Sequence, residues 1–397
     1  MERILTTQLA AHAGERVLLR GWLHRQRRLA RVAFVILRDR AGTAQIVVDE
    51  ALDLLPETVI EVSGRAVPSA QAPGGVEVQA ADVRVIAAPA EAPPVELHRP
   101  EPRESLPVRL DRAQVSLRHP VVRERFRKAA RATAAFRRTL EELDFIEIQS
   151  PKIVGAATEG GANVFRVDYF GRDAFLAQSP QLYKQILVGV FERVFETGPV
   201  FRAEPHETGR HLAEYYSLDA ELGFIDDHRD VMRVVEHCAL AMIDAVGEPV
   251  PDGIPIVRFA DVRTGDEPDL APADERRICE EHGELVFVEG FPTAKRAFYT
   301  HPGPDPEWSN SFDLLYRGLE IVSGGQRLHR YDDYVEALRS RGLDPRPFAG
   351  YLDAFRWGMP PHGGFAMGLE RFVAQATRVP NVREVTLFPR DRTRLHP

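Results

Sequence analysis

Alternating apolar and polar residues mark five short runs in the first 88 positions of the chain. The runs are RVLLRGWLH, VAFVILRDR, AQIVVD, TVIEVSGRAV and VEVQAADVRVI, and Gly, Pro or charged residues separate them. Such alternation is typical of half-buried strands, and five strands at short spacing favour a small barrel. Residues 1–88 are therefore predicted to form a five-stranded β-barrel domain.

The pattern changes after residue 88. Repeated Pro and Glu in AAPAEAPPVELHRPEPRESLP sustain neither helix nor strand, so residues 89–117 are predicted to be a linker. Beyond it, apolar positions recur in steps of four and three, which predicts one face of a long helix. The positions on that face are Val122, Phe126, Ala129, Thr133, Phe136, Leu140 and Leu143. A short strand, DFIEIQSP, follows and stops at Pro151.

The rest of the segment 118–397 mixes further helices and strands. SPQLYKQILVGVFERVFE predicts a second helix, with an apolar stripe on one side and Gln181 and Lys184 facing a pocket. The stripe consists of Leu182, Ile186, Val190 and Val194. Strands are predicted for GPVFRAE, EYYSLDAELGFI and SNSFDLLYRGLEIVSGG, and a closing helix for FAMGLERFVAQAT. Hairpin-linked strands with helices at either end predict an α+β domain on an antiparallel sheet flanked by helices.

Composition narrows the class of protein. A chain of 397 residues with 44% hydrophobic and 28% charged residues suits two or three globular domains. No apolar stretch approaches the roughly 18 residues of a membrane span, so a cytoplasmic protein with no membrane partner is expected. The net charge of -8 argues against bulk attraction to nucleic acid, although clustered arginines after Arg16 leave room for a basic patch on the barrel. Two cysteines without CxxC or HExxH motifs predict neither disulfides nor structural zinc.

Candidate chemistry concentrates on two predicted strands and one helix. Strand alternation places Arg202 and Glu204 on one face, and three polar residues share a face of the return strand. Those three are Ser217, Asp219 and Glu221. Exposed surface ion pairs are the simplest alternative, but a core could not hold so much charge without a ligand or counterions. A polyanionic substrate bound with a metal ion would neutralise both the positive and the negative side chains on these strands. Gly-rich PPHGGFAMGLER then places Arg371 at a helix start.

A strand ending at Pro151, the Arg202 hairpin and the Arg371 helix, in that order, resemble the three signature motifs of class II aminoacyl-tRNA synthetases. Within this family, QSPQLYKQ, FRAEPHETGRHLAEYYSLDAE, GLEIVSGGQR and MPPHGGFAMGLER look like the aspartyl enzymes of the archaeal type, which some bacteria also possess. Asparaginyl enzymes are similar through FRAE and RHLAE, but they usually carry Glu-Pro-Glu where Asp219-Ala220-Glu221 stands here. The resemblance covers almost the whole chain. It implies an N-terminal OB-type anticodon-binding barrel and a class II catalytic domain over 118–397.

The resemblance also implies a reaction. Aspartate and ATP would form aspartyl-adenylate and pyrophosphate, and the aspartyl group would pass to the terminal ribose of tRNA. No covalent enzyme intermediate is needed, because positioning and charge neutralisation carry such chemistry. Catalytic roles fall on Arg202, Glu204 and Arg371. The implied ATP contacts are Arg202, Glu204, His211, Leu212, Glu320 and Arg371, and the implied Mg²⁺ residues are Glu320 and Ser323.

The resemblance also implies four residues that bind the amino acid. Lys184 and Arg327 would hold its side-chain carboxylate, and Gln181 would orient it. Glu159, on a loop, would meet its ammonium group. Two positive donors favour a carboxylate, because the amide of asparagine would present an NH₂ group to donors only. The runner-up function is asparaginyl-tRNA synthesis. A catalytically inactive RNA-binding paralogue is a further alternative, and the barrel disfavours a tRNA-independent amide synthetase.

On the barrel, Phe34 and Gln45 match a pair that stacks on and hydrogen-bonds the central anticodon base. Arg27 and Glu77 are weaker anticodon candidates. The chain departs from the family at one place on the barrel. Where the family commonly has Gly after Arg-Asp-Leu, this chain has Arg28-Leu29-Ala30. His24 and Pro73 resemble the residues of aspartyl enzymes that do not discriminate between tRNA-Asp and tRNA-Asn. The resemblance therefore implies that both tRNAs are charged with aspartate and that an amidotransferase acts downstream on the tRNA-Asn product. The motif ending in Pro151 implies a homodimer.

Overall fold

The computed structural model describes residues 1–29, 32–155, 163–205, 207–265 and 267–396. It divides into two units, Met1–Arg123 and Glu124–His396. The first unit contains a closed barrel of five strands, which confirms the sequence prediction. These strands are β1 (Arg16–Arg28), β2 (Ala33–Arg38), β3 (Thr43–Val48), β4 (Val59–Pro68) and β5 (Val76–Ala87), joined in the order β1-β2-β3-β5-β4.

Alternation along the barrel strands separates its core from its outer face. Val17, Leu19 and Leu23 of β1 point inward and are almost completely buried, whereas Leu18, Arg20 and Trp22 are partly exposed or exposed. The pairing of β3 with β5 is parallel, and the other strand pairs of the barrel are antiparallel. A Cβ at Gly21 would lie 2.3 Å from the carbonyl oxygen of Arg38, so the close approach of β1 and β2 requires glycine there.

Two short helices follow the barrel, α1 (Leu106–Asp111) and α2 (Ala113–Ser116). They lie in the segment predicted as a linker. The structure includes this segment in its first unit, and the proposed domain boundaries 1–88, 89–117 and 118–397 stay a prediction. Short 3-10 turns occur at Thr6–His12, Pro73–Gly75, Thr293–Lys295, Arg346–Phe348 and Val382–Val385.

The second unit is built on a mixed sheet of eight strands covered by helices. The strands are β6 (Ile146–Glu147), β7 (Ile153–Val154), β8 (Arg166–Tyr169), β9 (Arg172–Leu176), β10 (Arg193–Phe201), β11 (Glu214–Gly223), β12 (Ile256–Arg258), β13 (Leu285–Glu289), β14 (Ser311–Tyr316), β15 (Leu319–Gln326) and β16 (His362–Gly368). The large sheet has the order β12-β13-β14-β15-β16-β11-β10-β6, and β7, β9 and β8 form a small separate sheet.

The remaining helices are α3 (Pro120–Glu142), α4 (Gln181–Phe191), α5 (His228–Ala245), α6 (Phe259–Val262), α7 (Pro272–His282), α8 (Tyr331–Ser340), α9 (Ala349–Arg356) and α10 (Leu369–Ala376). The predicted α+β class is confirmed. The strands in the middle of the large sheet pair antiparallel, whereas the two edge pairs, β6 with β10 and β12 with β13, are parallel. The long helix α3 packs Phe136 edge-on against Phe195 and Phe365 of the sheet.

Three predicted element boundaries are wrong. Helix α4 ends at Phe191 rather than Glu196, because Glu192 adopts a left-handed φ of 67° and β10 then pairs with β11. Its buried face carries Gln181 and Lys184, whereas Val190 is 63% exposed. The closing helix begins at Leu369, because the preceding four residues pair within the sheet as the end of β16. Strand β10 ends at Phe201, just before Arg202.

Among the described residues, no helix combines the length and the apolar content that crossing a bilayer requires.

Candidate active site

A cleft lies over the inner strands β11, β15 and β16 of the large sheet, beside the end of β10 and the start of α10. Its empty volume of about 780 Å³ is continuous with solvent. All the residues that the sequence predicts for ATP and Mg²⁺ line this one cleft. They are Arg202, Glu204, His211, Leu212, Glu320, Ser323 and Arg371. The cleft also includes residues that the sequence analysis did not select, among them Arg210, Tyr215 and Glu370.

Arg202 and Glu204 reach the cleft through a turn rather than through strand alternation. The backbone N–H of Arg202 donates to the carbonyl of Ala213 (2.9 Å), which keeps it aligned with the return chain after β10 has ended. The N–H of Glu204 then donates back to the carbonyl of Arg202 (2.8 Å). The guanidinium of Arg202 lies 5.6 Å from the ring centre of Tyr215, a cation–π arrangement that steadies it.

His211 and Arg371 add positive or donor groups to the same cleft. Burial, together with the charge of Arg371, lowers the pKa of His211, so the neutral imidazole predominates at neutral pH. Its Nδ1 lies 2.6 Å from the hydroxyl of Thr208. Arg371, in the first turn of α10, donates from Nη1 to the carbonyl of Glu320 (3.1 Å) and lies 3.4 Å from its carboxylate.

Oxygen ligands suited to a divalent cation lie along the β14–β15 hairpin. Asp313 is paired with Ser323 across the hairpin, and its Oδ1 is buried without a hydrogen-bond partner among the described residues. Its Oδ2 accepts from Arg296 (3.0 Å), which also donates to Ser323 (3.2 Å). Burial and the nearby charge of Glu320 raise the pKa of Asp313 to about 6, despite Arg296.

A buried carboxylate oxygen without a donor, beside the carboxylate of Glu320 and the hydroxyl of Ser323, fits the hard-oxygen coordination that Mg²⁺ prefers. The described residues contain no group of three His, Cys, Asp or Glu side chains gathered for a metal. The donor set is therefore two carboxylates and a hydroxyl. Asp313 was not predicted from the sequence, because counting back from the hairpin turn at Gly318 places it opposite Val322, and only the irregular pairing between Leu314 and Leu315 brings it opposite Ser323.

Next to the cleft, four buried charges form a closed group that we call the charge quartet: Lys184, Asp219, Glu221 and Arg327. The Nζ of Lys184 donates to Asp219 (3.1 Å) and lies 3.3 Å from Glu221. Arg327 donates from Nε to Glu221 (2.8 Å) and from Nη2 to its other oxygen (3.4 Å). The side chains are 1%, 2%, 0% and 7% exposed, in chain order.

The quartet is neutral overall because each cation has an acid beside it. Burial alone would raise the pKa of Glu221, but Arg327 and Lys184 hold it below the usual value. In the same way, Glu221 raises the pKa of Arg327 against the effect of burial. Unpaired charges in such an environment would cost several kcal/mol each.

Glycines make room for the quartet between three strands. A Cβ at Gly364 of β16 would lie 2.0 Å from the Oε2 of Glu221 and 2.2 Å from the carbonyl of Ala220. Gly325 of β15 pairs with Gly364, and a Cβ there would lie 2.6 Å from the carbonyl of Asn310. The absence of a side chain at Gly364 therefore leaves room for the buried carboxylate of Glu221, and that at Gly325 allows the close approach of β15 to the start of β14.

Two nitrogen donors beside the quartet remain available. The Nε2 of Gln181 is buried without a partner, and among the described residues no acceptor contacts the Nη1 of Arg327. An unsatisfied buried donor such as the Nε2 of Gln181 costs about 1–3 kcal/mol, which a ligand oxygen would recover. Ser217 links the quartet to the cleft, because it lines the cleft and its hydroxyl donates to Asp219. The predicted loop acid Glu159 lies outside the described residues.

The structure brings four of the six barrel candidates to one outer face. Arg27 pairs with Phe34 across β1 and β2, and Gln45 of β3 donates to Glu77 of β5 (2.8 Å). His24 lies at a bulge of β1, where its Nδ1 accepts from Arg38 (3.2 Å). Burial, with Arg38, lowers the pKa of His24 to about 4. Pro73 opens the 3-10 turn that precedes β5.

Comparison with known proteins identifies both units. The family model described as tRNA synthetases class II (D, K and N) matches residues 105–392, and the model of the OB-fold nucleic acid binding domain matches residues 17–86. The chain is 44% identical to the aspartate--tRNA(Asp/Asn) ligase of Thermus thermophilus, over all of both chains. It is 43% identical to the ligase of the same name from Deinococcus radiodurans, over 100% of this chain and 99% of the relative. The asparaginyl-tRNA synthetase of Pyrococcus horikoshii, solved with asparaginyl-adenylate, superposes with a TM-score of 0.93 at 30% identity, covering both chains fully.

Proposed function

The chain belongs to the class II tRNA synthetases of the D, K and N group, and we propose that within this family it is an aspartate--tRNA ligase. It activates L-aspartate with ATP to aspartyl-adenylate and transfers the aspartyl group to the 3′ end of tRNA. The observation that carries this function is the adjacency of an open cleft of phosphate-binding residues and a buried charge quartet with two available donors. The two full-length relatives named aspartate--tRNA(Asp/Asn) ligase support it.

In this function, Arg202 contacts the α-phosphate, Arg371 the γ-phosphate end and Glu204 the adenine edge. His211, held neutral by its surroundings, donates a hydrogen bond to the phosphates without adding charge. Mg²⁺, held by Glu320, Ser323 and Asp313, would neutralise charge on the phosphate oxygens. Arg202, Glu204 and Arg371 are the catalytic residues, because they stabilise charge where the transition state develops it.

Aspartate is selected at the quartet. Gln181 and Arg327 offer N–H donors to the side-chain carboxylate, and Lys184 adds positive charge beside them. Asparagine would direct its own NH₂ group at these donors, which costs several kcal/mol, or about 10³-fold in specificity. Glu159 completes the set as the acid that meets the substrate ammonium.

ATP–pyrophosphate exchange tests this function directly. Purified enzyme with Mg²⁺ should exchange pyrophosphate when aspartate is present and at least about 10³-fold less efficiently with asparagine. An Arg371→Ala control should lose exchange with aspartate. Preferential exchange with asparagine would instead identify an asparaginyl-tRNA synthetase. Absence of exchange with any amino acid, in folded protein that binds tRNA, would identify an RNA-binding paralogue.

The tRNA substrates are tRNA-Asp and, we propose, tRNA-Asn as well. Pro73 has neither a backbone donor nor a charge, and His24 is neutral and already engaged by Arg38, so neither residue offers a cation to the third anticodon base. Two transcripts that differ only in that base should be aspartylated with efficiencies within about 100-fold. A larger preference for the Asp anticodon would refute relaxed specificity.

We also propose that the enzyme is a homodimer and that a second enzyme acts on one of its products. The edge strand β6 and the nearby β7 expose Ile146 and Ile153, 47% each, on either side of Pro151, which supports a dimer interface. Light scattering at micromolar concentration should give twice the chain mass, and a monomer would contradict this. Aspartyl-tRNA-Asn would require a tRNA-dependent amidotransferase in the same compartment, which we place in the cytoplasm.

A further inference from the structure

A carboxylate on helix α7, outside the predicted motifs, contacts two residues that line the phosphate cleft. Glu275 is 5% exposed, and its Oε2 accepts from the Nη2 of Arg210 and from the backbone N–H of Glu320 (3.2 Å). Arg210 lies on the segment between β10 and β11, whereas Glu320 lies on β15, and both line the cleft. One carboxylate oxygen therefore joins the two sides of the phosphate site.

The contact with Glu320 falls where the sheet is irregular. Leu314 pairs with Val322 but Leu315 pairs with Glu320, so β15 carries an extra residue, a bulge. Bulges re-aim a side chain and interrupt regular pairing. The N–H of Glu320 is bonded by Glu275 and its carbonyl by Arg371 (3.1 Å). The backbone of this bulged residue is therefore held from two sides, by α7 and by α10.

Helix α7 is itself firmly placed at this end. Asp274, the residue before Glu275, accepts from Thr264 (2.5 Å) and from the N–H of Ala271 (3.2 Å), which anchors the first turn. The hairpin turn before β15 packs closely on the helix, because a Cβ at Gly318 would lie 2.7 Å from the Cγ of Arg276. Glu275 thus projects from a fixed support rather than from a mobile loop.

We propose that Glu275 is a positioning residue that sets Arg210 and Glu320 relative to each other for binding of ATP with its magnesium ion. It does not contact substrate itself. The inference rests on the proposed function, in which Glu320 holds the cation. Such supporting partners of metal-holding groups typically contribute about 10- to 100-fold in metal affinity or activity. Because the charge quartet makes no contact with Glu275 among the described residues, binding of aspartate should not depend on it.

The test uses Glu275→Gln, which keeps size and one acceptor but removes the charge facing Arg210. Calorimetry measures the affinity for a non-hydrolysable ATP analogue with and without Mg²⁺, and exchange kinetics give the KM values for ATP and aspartate. We expect analogue affinity in Mg²⁺ to fall about 10- to 100-fold, with the KM for aspartate unchanged. Arg210→Gln should act similarly, and the double variant should be no worse than the more severe single variant.

Glu281→Gln is the matched control, because Glu281 lies on the same helix and forms an exposed ion pair with Arg277. It should leave every readout unchanged. A Glu275→Gln variant that melts earlier but binds the analogue like wild type would overturn the proposal and leave only a structural role. Additive effects of the two single variants would also overturn it. Analogue binding needs no amino acid, so failure of wild-type exchange with aspartate would count against the proposed function and not against this coupling.

Discussion

The candidate active site has two halves, an open cleft and the buried charge quartet, and they stabilise their charged side chains in opposite ways. In the open half, to which the proposed function assigns the phosphates, Arg371 and Glu320 are 25% and 37% exposed at the wall of the cleft, so a charged ligand can reach them. In the closed half, to which the proposed function assigns the amino acid, the charge quartet is almost inaccessible and neutral overall. Solvent stabilises the charges of an open site when no ligand is bound. The charges of a buried site have no solvent around them and must pair with each other before a ligand binds. In the proposed function, selection of aspartate therefore depends on the few donors that have no partner beside the quartet.

The largest expected effect comes from disturbing the closed half through its backbone. Gly364→Ala would place a methyl group 2.0 Å from the carboxylate of Glu221. We expect the ion pairs of the quartet to break, with a loss of about 3 kcal/mol or more in unfolding free energy, measured by chemical denaturation. Gly350→Ala on α9 is the matched control, because a Cβ there meets no atom within 4 Å. It should be neutral or stabilising by up to about 1 kcal/mol. Equal stability of the two variants would show that the quartet tolerates the methyl group.

A second prediction concerns the pH dependence of stability, because the pKa of Glu370 in the cleft and that of Glu221 in the quartet are shifted in opposite directions. Burial raises the pKa of Glu370, in the wall of the cleft, to about 7, although both oxygens accept from the N–H of Tyr216. A raised pKa favours the protonated form, so its contribution to stability is complete below the ordinary pKa of 4.5 and is lost as pH rises through about 7. Glu221, with its lowered pKa, should show no such loss near neutrality.

Glu370→Gln is permanently neutral and should escape this loss. Relative to the variant, wild type should lose about 3 kcal/mol of unfolding free energy between pH 5 and pH 9. Denaturation curves across that range, for both proteins, measure the difference. Parallel pH dependence of the two proteins would contradict the raised pKa.

The smallest effect is expected on the barrel, far along the chain from either half. Phe34→Ala should weaken tRNA binding by about 1–3 kcal/mol, the usual contribution of one stacked base, without changing tRNA-independent exchange. Val47→Ala removes an aliphatic side chain from the residue paired with Phe34 and should matter less. Filter binding of tRNA to the two variants compares them. Equal weakening would assign Phe34 to packing rather than to stacking.

Local patterns predicted much of the fold and less of the site. Strand alternation identified all five barrel strands, and the apolar steps from Val122 identified α3. The end of α4 was wrong because FERVFE suits either a helix or a strand, and only the left-handed turn at Glu192 and pairing with β11 decide between them. The same ambiguity placed FAMG in a helix, although tertiary pairing makes it the end of β16.

At the site, sequence identified the charged residues but not their partners. Lys184 and Arg327 pair with acids 35 and 106 positions away, and no local pattern encodes contacts at such separations. Asp313 was missed because its neighbours along the strand are apolar, and only the hairpin brings it opposite Ser323. The supporting contact of Glu275 was equally invisible, since it comes from a helix outside the motifs.

Paired binding measurements on two variants test most directly whether the halves act separately. Calorimetry would give the affinities of Lys184→Met and Arg371→Ala for aspartate and for a non-hydrolysable ATP analogue with Mg²⁺, in proteins that melt cooperatively. Lys184→Met should lose aspartate binding by about 100-fold or more and keep its affinity for the analogue within about threefold, since the quartet does not line the cleft. Arg371→Ala should show the reverse. Comparable losses of both ligands in either variant would contradict the division of the site into a closed amino-acid half and an open phosphate half.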